Sequence, residues 1–173
     1  EVGGKGLFTK EIEEELLNKK IDIAVHSMKD VPTILPAGLE ISTVLAREDE
    51  RDSFISFKYK SINELPLASV VGTSSLRRRA QLLSIRPDLK IVEFRGNVQT
   101  RLKKLETGIA DATFLACAGL RRLKMMHLLN PVDINQMLPA VAQGAIGIEQ
   151  RVEDSDVRAL LKPLNDKKTF NQL

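Results

Sequence analysis

Short apolar and β-branched runs alternate along nearly the whole chain with stretches whose apolar positions recur every three or four residues. Residues 5–7 read as a Gly-rich loop. Phe8, Ile12 and Leu16 then share one face of a helix predicted from Thr9, a candidate cap, to about Lys19. Glu11, Glu13 and Glu14 come early in it and Lys19 and Lys20 late, an order that suits the helix dipole. Strands are predicted over 21–26 and 39–46, before the highly polar run 47–52. A strand over 53–57 follows, and Ser61-Ile62-Asn63-Glu64 matches a capping box. The strand over 69–73 leads straight into a helix over 74–85, which Arg86-Pro87-Asp88 ends. After a strand over 91–94, Asn97 caps a helix that turns Val98, Leu102 and Leu105 inward and stops at Gly108. A strand over 112–116, a helix over 120–129 and a strand over 145–149 come next. Asp154 or Ser155 caps a last helix, which Pro163 should kink or end.

Strands alternating with helices predict an α/β fold with a parallel or mixed sheet and helices on both faces. Polar crossings near 47–52 and 139–145 suit two similar lobes. No apolar run approaches the roughly 18–20 residues that span a membrane, and no apolar segment opens the chain as a secretory signal would. Cys117 is the single cysteine, and His26 and His127 are the two histidines. A disulfide framework is excluded, no metal site is expected, and a reducing, cytoplasmic setting fits.

Charge sharpens the picture. The net +3 conceals a basic block, for residues 77–124 hold twelve Lys and Arg against four Asp and Glu. Such a block suits either an anionic ligand or a solvated surface. In α/β sheets, ligands sit at strand carboxyl ends and helix N-termini, and three stretches fall there. In 24–32 a strand delivers Ser27, Lys29 and Asp30 to its tip, where the Lys can bind an anion while the Asp faces a developing cation; a plain surface pair is the other reading. In 71–79, Thr73, Ser74 and Ser75 open a helix whose first turn carries Arg77, Arg78 and Arg79. Cations there oppose the dipole, so a bound anion would explain them. In 94–101, Arg95 leaves a strand, Gly96 permits close backbone approach to a ligand, and Arg101 lies one turn into the next helix. Arg121 and Arg122 either join this basic rim or are plain surface. His26 reads as a satisfied core histidine.

In this order the stretches resemble the porphobilinogen deaminase family. The matching segments are Val2-Gly3-Gly4-Lys5-Gly6-Leu7-Phe8, residues 26–32, 72–78, 95–101 and 118–120, and 138–145. The resemblance implies two lobes of the periplasmic-binding-protein type with mixed sheets flanked by helices. Lobe one would be 1–47 with 146–165 and lobe two 52–139. Residues 166–173 would start a C-terminal domain that, like the family's N-terminal strand, is otherwise missing.

The implied activity is that of hydroxymethylbilane synthase in tetrapyrrole (haem) biosynthesis, a transferase that joins four porphobilinogens head to tail with loss of ammonia. The implied cofactor is dipyrromethane, held by a cysteine in a Gly-Gly-Cys loop absent here, so the chain is expected to be inactive alone. Porphobilinogen and the growing linear polypyrrole carry many carboxylates, which a rim of Lys29, Arg77, Arg78, Arg95, Arg101 and Arg122 with Thr73, Ser74, Ser75 and Ser27 would hold. Asp30 would stabilise the cationic azafulvene left by ammonia, and Lys5 would lie on a flexible loop. No nucleic acid is expected, since aromatic residues make up only 4% of the chain. No membrane partner is expected either, and the protein should be a monomer. The rival reading is a non-catalytic binding protein for small anionic ligands.

Overall fold

The computed structural model describes the backbone of residues 5–173 and the side chains from Thr9 onward. In chain order the elements are α1 (Lys5–Leu17), β1 (Ala24–Ser27), β2 (Leu39–Val44), β3 (Asp52–Ile55), β4 (Val70–Gly72), α2 (Leu76–Ile85), β5 (Lys90–Val92), α3 (Val98–Glu106), β6 (Ala112–Ala116), α4 (Cys117–Arg122), β7 (Ile146–Arg151), α5 (Ser155–Leu161) and α6 (Lys167–Phe170). They form two compact units. Unit one runs to Glu48 and resumes at Val141, and unit two is Asp49–Ala140.

Unit one holds a three-stranded sheet in the order β1-β7-β2. The strand that returns from unit two, β7, inserts between the others and runs antiparallel to both, so this sheet is not parallel. A bulge at Ser42 breaks the β2–β7 register. Leu16 of α1 packs on Ala24 and Leu39, with Ile12 and Ile21 at the margin. Helix α1 begins at Lys5 rather than at a Thr9 cap, so Lys5 lies in a helical turn and not on the expected loop. Backbone N–H groups of a first turn have no intrahelical partner to lose, which lets the Gly-rich stretch be helical. Lys19, at φ 60°, ends the helix. Arg151 locks the α1–β1 connection by donating to Leu16 O at 2.9 Å and Ile21 O at 2.7 Å. Residues 166–173, read above as the opening of a further domain, make backbone contacts with unit one. Asp166 N donates to Val44 O at 2.8 Å, and Arg47 N donates to Thr169 Oγ1 at 3.0 Å.

Unit two holds a mixed sheet in the order β3-β6-β4-β5, with β3 antiparallel to β6 and the rest parallel. Strand alternation sends neighbours to opposite faces. Phe54 and Phe114 meet edge to face at 5.6 Å in one core with Leu82 of α2. Ile55 and Leu115 join Phe94, Leu105 of α3 and Leu120 of α4 in the other. Helices therefore cover both faces. Two local expectations change. Ser61 makes no side-chain cap, and Glu64 instead accepts from Lys60 N at 2.8 Å, so 62–64 is a single 3-10 turn. The helix expected over 120–129 starts at Cys117 and ends at Arg122, because Lys124 turns left-handed at φ 57°. Pro163 falls in a 3-10 turn that follows α5, as its missing N–H requires.

Candidate functional site

In unit two the strand–turn–helix junction after β4 is built from hydroxyls. Thr73 Oγ1 accepts from Ser75 N at 3.1 Å, Ser74 Oγ accepts from Phe94 N at 2.9 Å, and Ser75 Oγ caps α2 through Arg78 N. Each hydroxyl serves the backbone as an acceptor and keeps its own O–H to donate. These three residues, with Leu76, Arg79 and Glu93 among others, line a cavity of about 160 Å³.

The arginines divide. Arg78 is buried, not part of an open rim. It grips the fully buried Asp52 by a fork, Nε to Oδ2 at 3.1 Å and Nη2 to Oδ1 at 2.7 Å, and gives Nη1 to Phe114 O at 2.7 Å. Arg77, partly exposed, donates Nη2 to Asp52 Oδ2 at 2.6 Å and Nη1 to Leu138 O. The counter-charge that the dipole demands is thus supplied, for these two, from inside the protein. Breaking such a buried pair costs about 3–5 kcal/mol.

Arg95 is well exposed and pairs with Glu93 at 2.8 Å. Gly96 has φ +119°, and a methyl there would lie 2.7 Å from Thr100 Cγ2. Its conformation and its contact with Thr100 account for this glycine without a ligand. Asn97 caps α3 through Thr100 N at 2.9 Å, as expected. Arg101 is half-buried and donates Nε to Gly96 O at 2.8 Å. Burial first, and then the neighbouring Arg78, pull its guanidinium below its usual value. No carboxylate is bonded to Arg101 among the described residues. Arg122 is exposed in the last turn of α4.

In unit one, β1 ends at Ser27 and a 3-10 turn carries Met28, Lys29 and Asp30. This tip is held against β7. Met28 N donates to Ala145 O at 3.1 Å, and a side chain at Gly147 would collide with Met28 Sδ. Lys29 Nζ reaches Gln143 Oε1 at 3.4 Å, and the buried Gln143 accepts Arg47 Nε on its carbonyl at 2.9 Å. Gly144, at φ +93°, has Glu48 O where a side chain would go. Asp30 is exposed at the end of the turn. Ser27, Lys29 and Asp30 therefore share one short turn on a rigid strand end. His26 points the other way and its Nε2 lies 2.8 Å from Glu149 Oε2, both groups buried. It is a paired core histidine. Burial pushes the Glu149 carboxyl up, although the His26 bond opposes this.

Sequence reasoning missed Asp52, Gln143 and Glu149. Arginines in a first helical turn called for an anion, but nothing in the sequence singled out Asp52, since Glu64 lies nearer to them along the chain.

A family model described as "Porphobilinogen deaminase, dipyromethane cofactor binding domain" matches residues 1–159. The chain belongs to the porphobilinogen deaminase family. A porphobilinogen deaminase of Paracoccus denitrificans (strain Pd 1222) is 62% identical over 168 residues, covering 96% of this chain and 54% of that protein. The chain thus spans about half the length of this curated relative. Among solved structures, a YaeC-family pheromone cOB1 precursor/lipoprotein from Enterococcus faecalis V583 matches with TM-score 0.60 at 13% identity, over 92% of this chain and 78% of that one. A periplasmic sulfonate-binding protein from Methylobacillus flagellatus KT matches with TM-score 0.50 at 15% identity, over 87% and 48%. These likenesses show the fold, that of the periplasmic-binding-protein type. No helix among the described residues is long and apolar enough to cross a membrane.

The family's cofactor can be tested against the residues present. Dipyrromethane carries carboxylates, and the unbonded hydroxyl protons of Thr73, Ser74 and Ser75 with Arg101 and Arg77 are a donor set that fits them. Cys117 does not fit as its covalent anchor. It is fully buried at the start of α4, and burial, followed by Asp49, pushes its thiol up to about 11.

Proposed function

We propose that the chain supplies the substrate-binding and proton-handling residues of a hydroxymethylbilane synthase, the transferase that condenses four porphobilinogens with release of four ammonias. The observation that carries this reading is Arg101, half-buried beside Arg78 with no carboxylate bonded to it among the described residues. A cation in that position is stabilised by an anion from outside, and an arginine fork matches a carboxylate. Porphobilinogen brings an acetate and a propionate, and each added unit brings two more. When bound, dipyrromethane supplies the primer pyrrole carbon to which the first substrate unit is joined.

The protein's own residues do the rest. Arg101 and Arg77 bind carboxylates, with Arg95 and Arg122 as outer members of the same basic surface. Thr73, Ser74 and Ser75 donate O–H to carboxylate oxygens. Lys29, steadied by Gln143, places a cation on the same short turn as Asp30. Asp30 then faces the cationic carbon formed as ammonia leaves porphobilinogen and, once the free α-carbon of the chain's terminal pyrrole has bonded to it, accepts the proton whose loss from that α-carbon restores aromaticity. Arg78 stays within the fold as a support. The protein works as a cytoplasmic monomer.

The test is a chimera in which residues 1–159 replace the matching segment of the Paracoccus denitrificans enzyme. It should make hydroxymethylbilane and lose that activity with Asp30→Asn. A folded chimera that yields no product, and whose intact mass lacks the two added pyrrole units, would overturn the reading.

A further inference from the structure

Three consecutive arginines open α2, yet they are treated differently. Arg79 is exposed and its guanidinium has no ion pair among the described residues. Arg77 and Arg78 are drawn back onto one carboxylate. Asp52, the first residue of β3, is completely buried. It takes Arg78 by two bonds and Arg77 by one, at 3.1, 2.7 and 2.6 Å. Phe114 O and Leu138 O complete the clamp. Of the five N–H groups on a guanidinium, Arg78 commits three and is sealed from solvent. Arg77 commits two, and its side chain keeps 23% of its exposure.

Arg78 alone would satisfy Asp52 as a buried partner. A second arginine, able to reach water as Arg79 does, gives up its freedom to be anchored at two points while its side chain stays partly exposed. Restricting a long side chain before a ligand arrives is preorganisation. We propose that Asp52 is a positioning residue for the carboxylate site of unit two: it fixes Arg78 as a strut and presents the open edge of Arg77 to an incoming carboxylate. This inference rests on the anion-binding reading above.

Charge and position predict opposite signs, which makes the idea testable. Asp52→Asn leaves the site one unit more positive, so attraction alone predicts tighter anion binding. Loss of positioning predicts weaker binding. The chain and its variants are titrated calorimetrically with citrate, as a generic tricarboxylate, and with porphobilinogen. Circular dichroism checks folding. Side-chain ¹⁵N relaxation of the Arg77 Nε–H reads its mobility, which a purely structural role for Asp52 in the sheet would leave unchanged.

Asp52→Asn should bind citrate about tenfold more weakly and mobilise the Arg77 Nε–H. Should that variant fail to fold, Asp52→Asn with Arg78→Met removes the buried cation together with the anion. It restores the original net charge, and it should show the same loss and the same mobility. Equal or tighter binding by either folded variant, or an Arg77 that stays rigid in it, overturns the proposal. A wild type that binds citrate but not porphobilinogen would sink the functional reading and leave Asp52 to be judged by its variants. A wild type that binds neither overturns both.

Discussion

Gly72→Ala offers a strict check on how unit two positions its hydroxyl-rich junction. A methyl at Gly72 would lie 2.8 Å from Phe94 Cε2 and closer still to Cγ and Cδ2. Ordinary carbon contact is about 3.5–4.0 Å, so ring and strand must separate by roughly 1 Å. The ring cannot readily yield. Phe94 is fully buried among Ile55, Leu105, Ala110, Leu115 and Leu120, and Lys104 Nζ sits 5.4 Å from its centroid. The strand cannot readily yield either, because Gly72 is paired with Val92 and its carbonyl accepts Thr113 Oγ1 at 2.6 Å. Overpacking of this kind costs about 1–3 kcal/mol. For a unit of this size that is a fall in Tm of about 4–24 °C. Denaturant unfolding of the wild type, Gly72→Ala, Phe94→Leu and the double variant measures the coupling. The smaller side chain should make room for the methyl, so the double variant should exceed the sum of the singles by about 1 kcal/mol or more. Additive effects, or an unchanged midpoint for Gly72→Ala, would refute the collision as the reason for glycine at this position.

Three further outcomes follow from the same structure. Cys117, sealed from solvent with its thiol at about 11, should resist a thiol-disulfide reagent at pH 8 and react only as the protein unfolds; prompt labelling of the native chain would contradict the packing. Glu149 is raised above its usual value chiefly by burial, so its contribution to stability is complete below about 4.5 and is lost as pH rises through the raised folded value. Glu149→Gln should therefore melt higher than the wild type near pH 8, with the gap closing toward pH 4; a lower melt at pH 8 would mean the His26 pair outweighs desolvation. Asp88 is held down to about 2 by its bond to Arg86, so its contribution is present above its ordinary 3.8 and fades as pH falls through 2. Asp88→Asn should lower Tm at pH 6 but not at pH 2, and an equal loss at both would assign the effect to geometry.

The periodic signals that local chemistry creates are legible in the sequence. Asn97 caps α3, β6 falls on 112–116, and the Pro163 segment leaves the α-helix, because each depends on residues a few positions apart. The helix dipole called for an anion near Arg77 and Arg78, which the sequence reading took to be a bound ligand. It could not say that the anion was already present, since Asp52 lies some 25 residues upstream and meets them only because β3 pairs with β6 beside α2. The same holds for Lys29 with Gln143 and His26 with Glu149, which are 114 and 123 residues apart. Sequence spacing carries no information about contacts made by a strand that returns from another unit.

That distinction bears on what the basic block is for. Of the six cations assigned to the rim, Arg78 proves to be a buried support, Arg77 is anchored but open at one edge, and Arg95 already has Glu93. Arg101 remains as the half-buried cation whose charge the described residues leave unmatched. A surface evolved only for solubility would spread its cations and let each be hydrated. Here one carboxylate holds two arginines in place while a third is left beside them without one. That arrangement is costly unless an anion completes it, and it is this asymmetry, more than the count of basic residues, that supports the anion-binding reading proposed above.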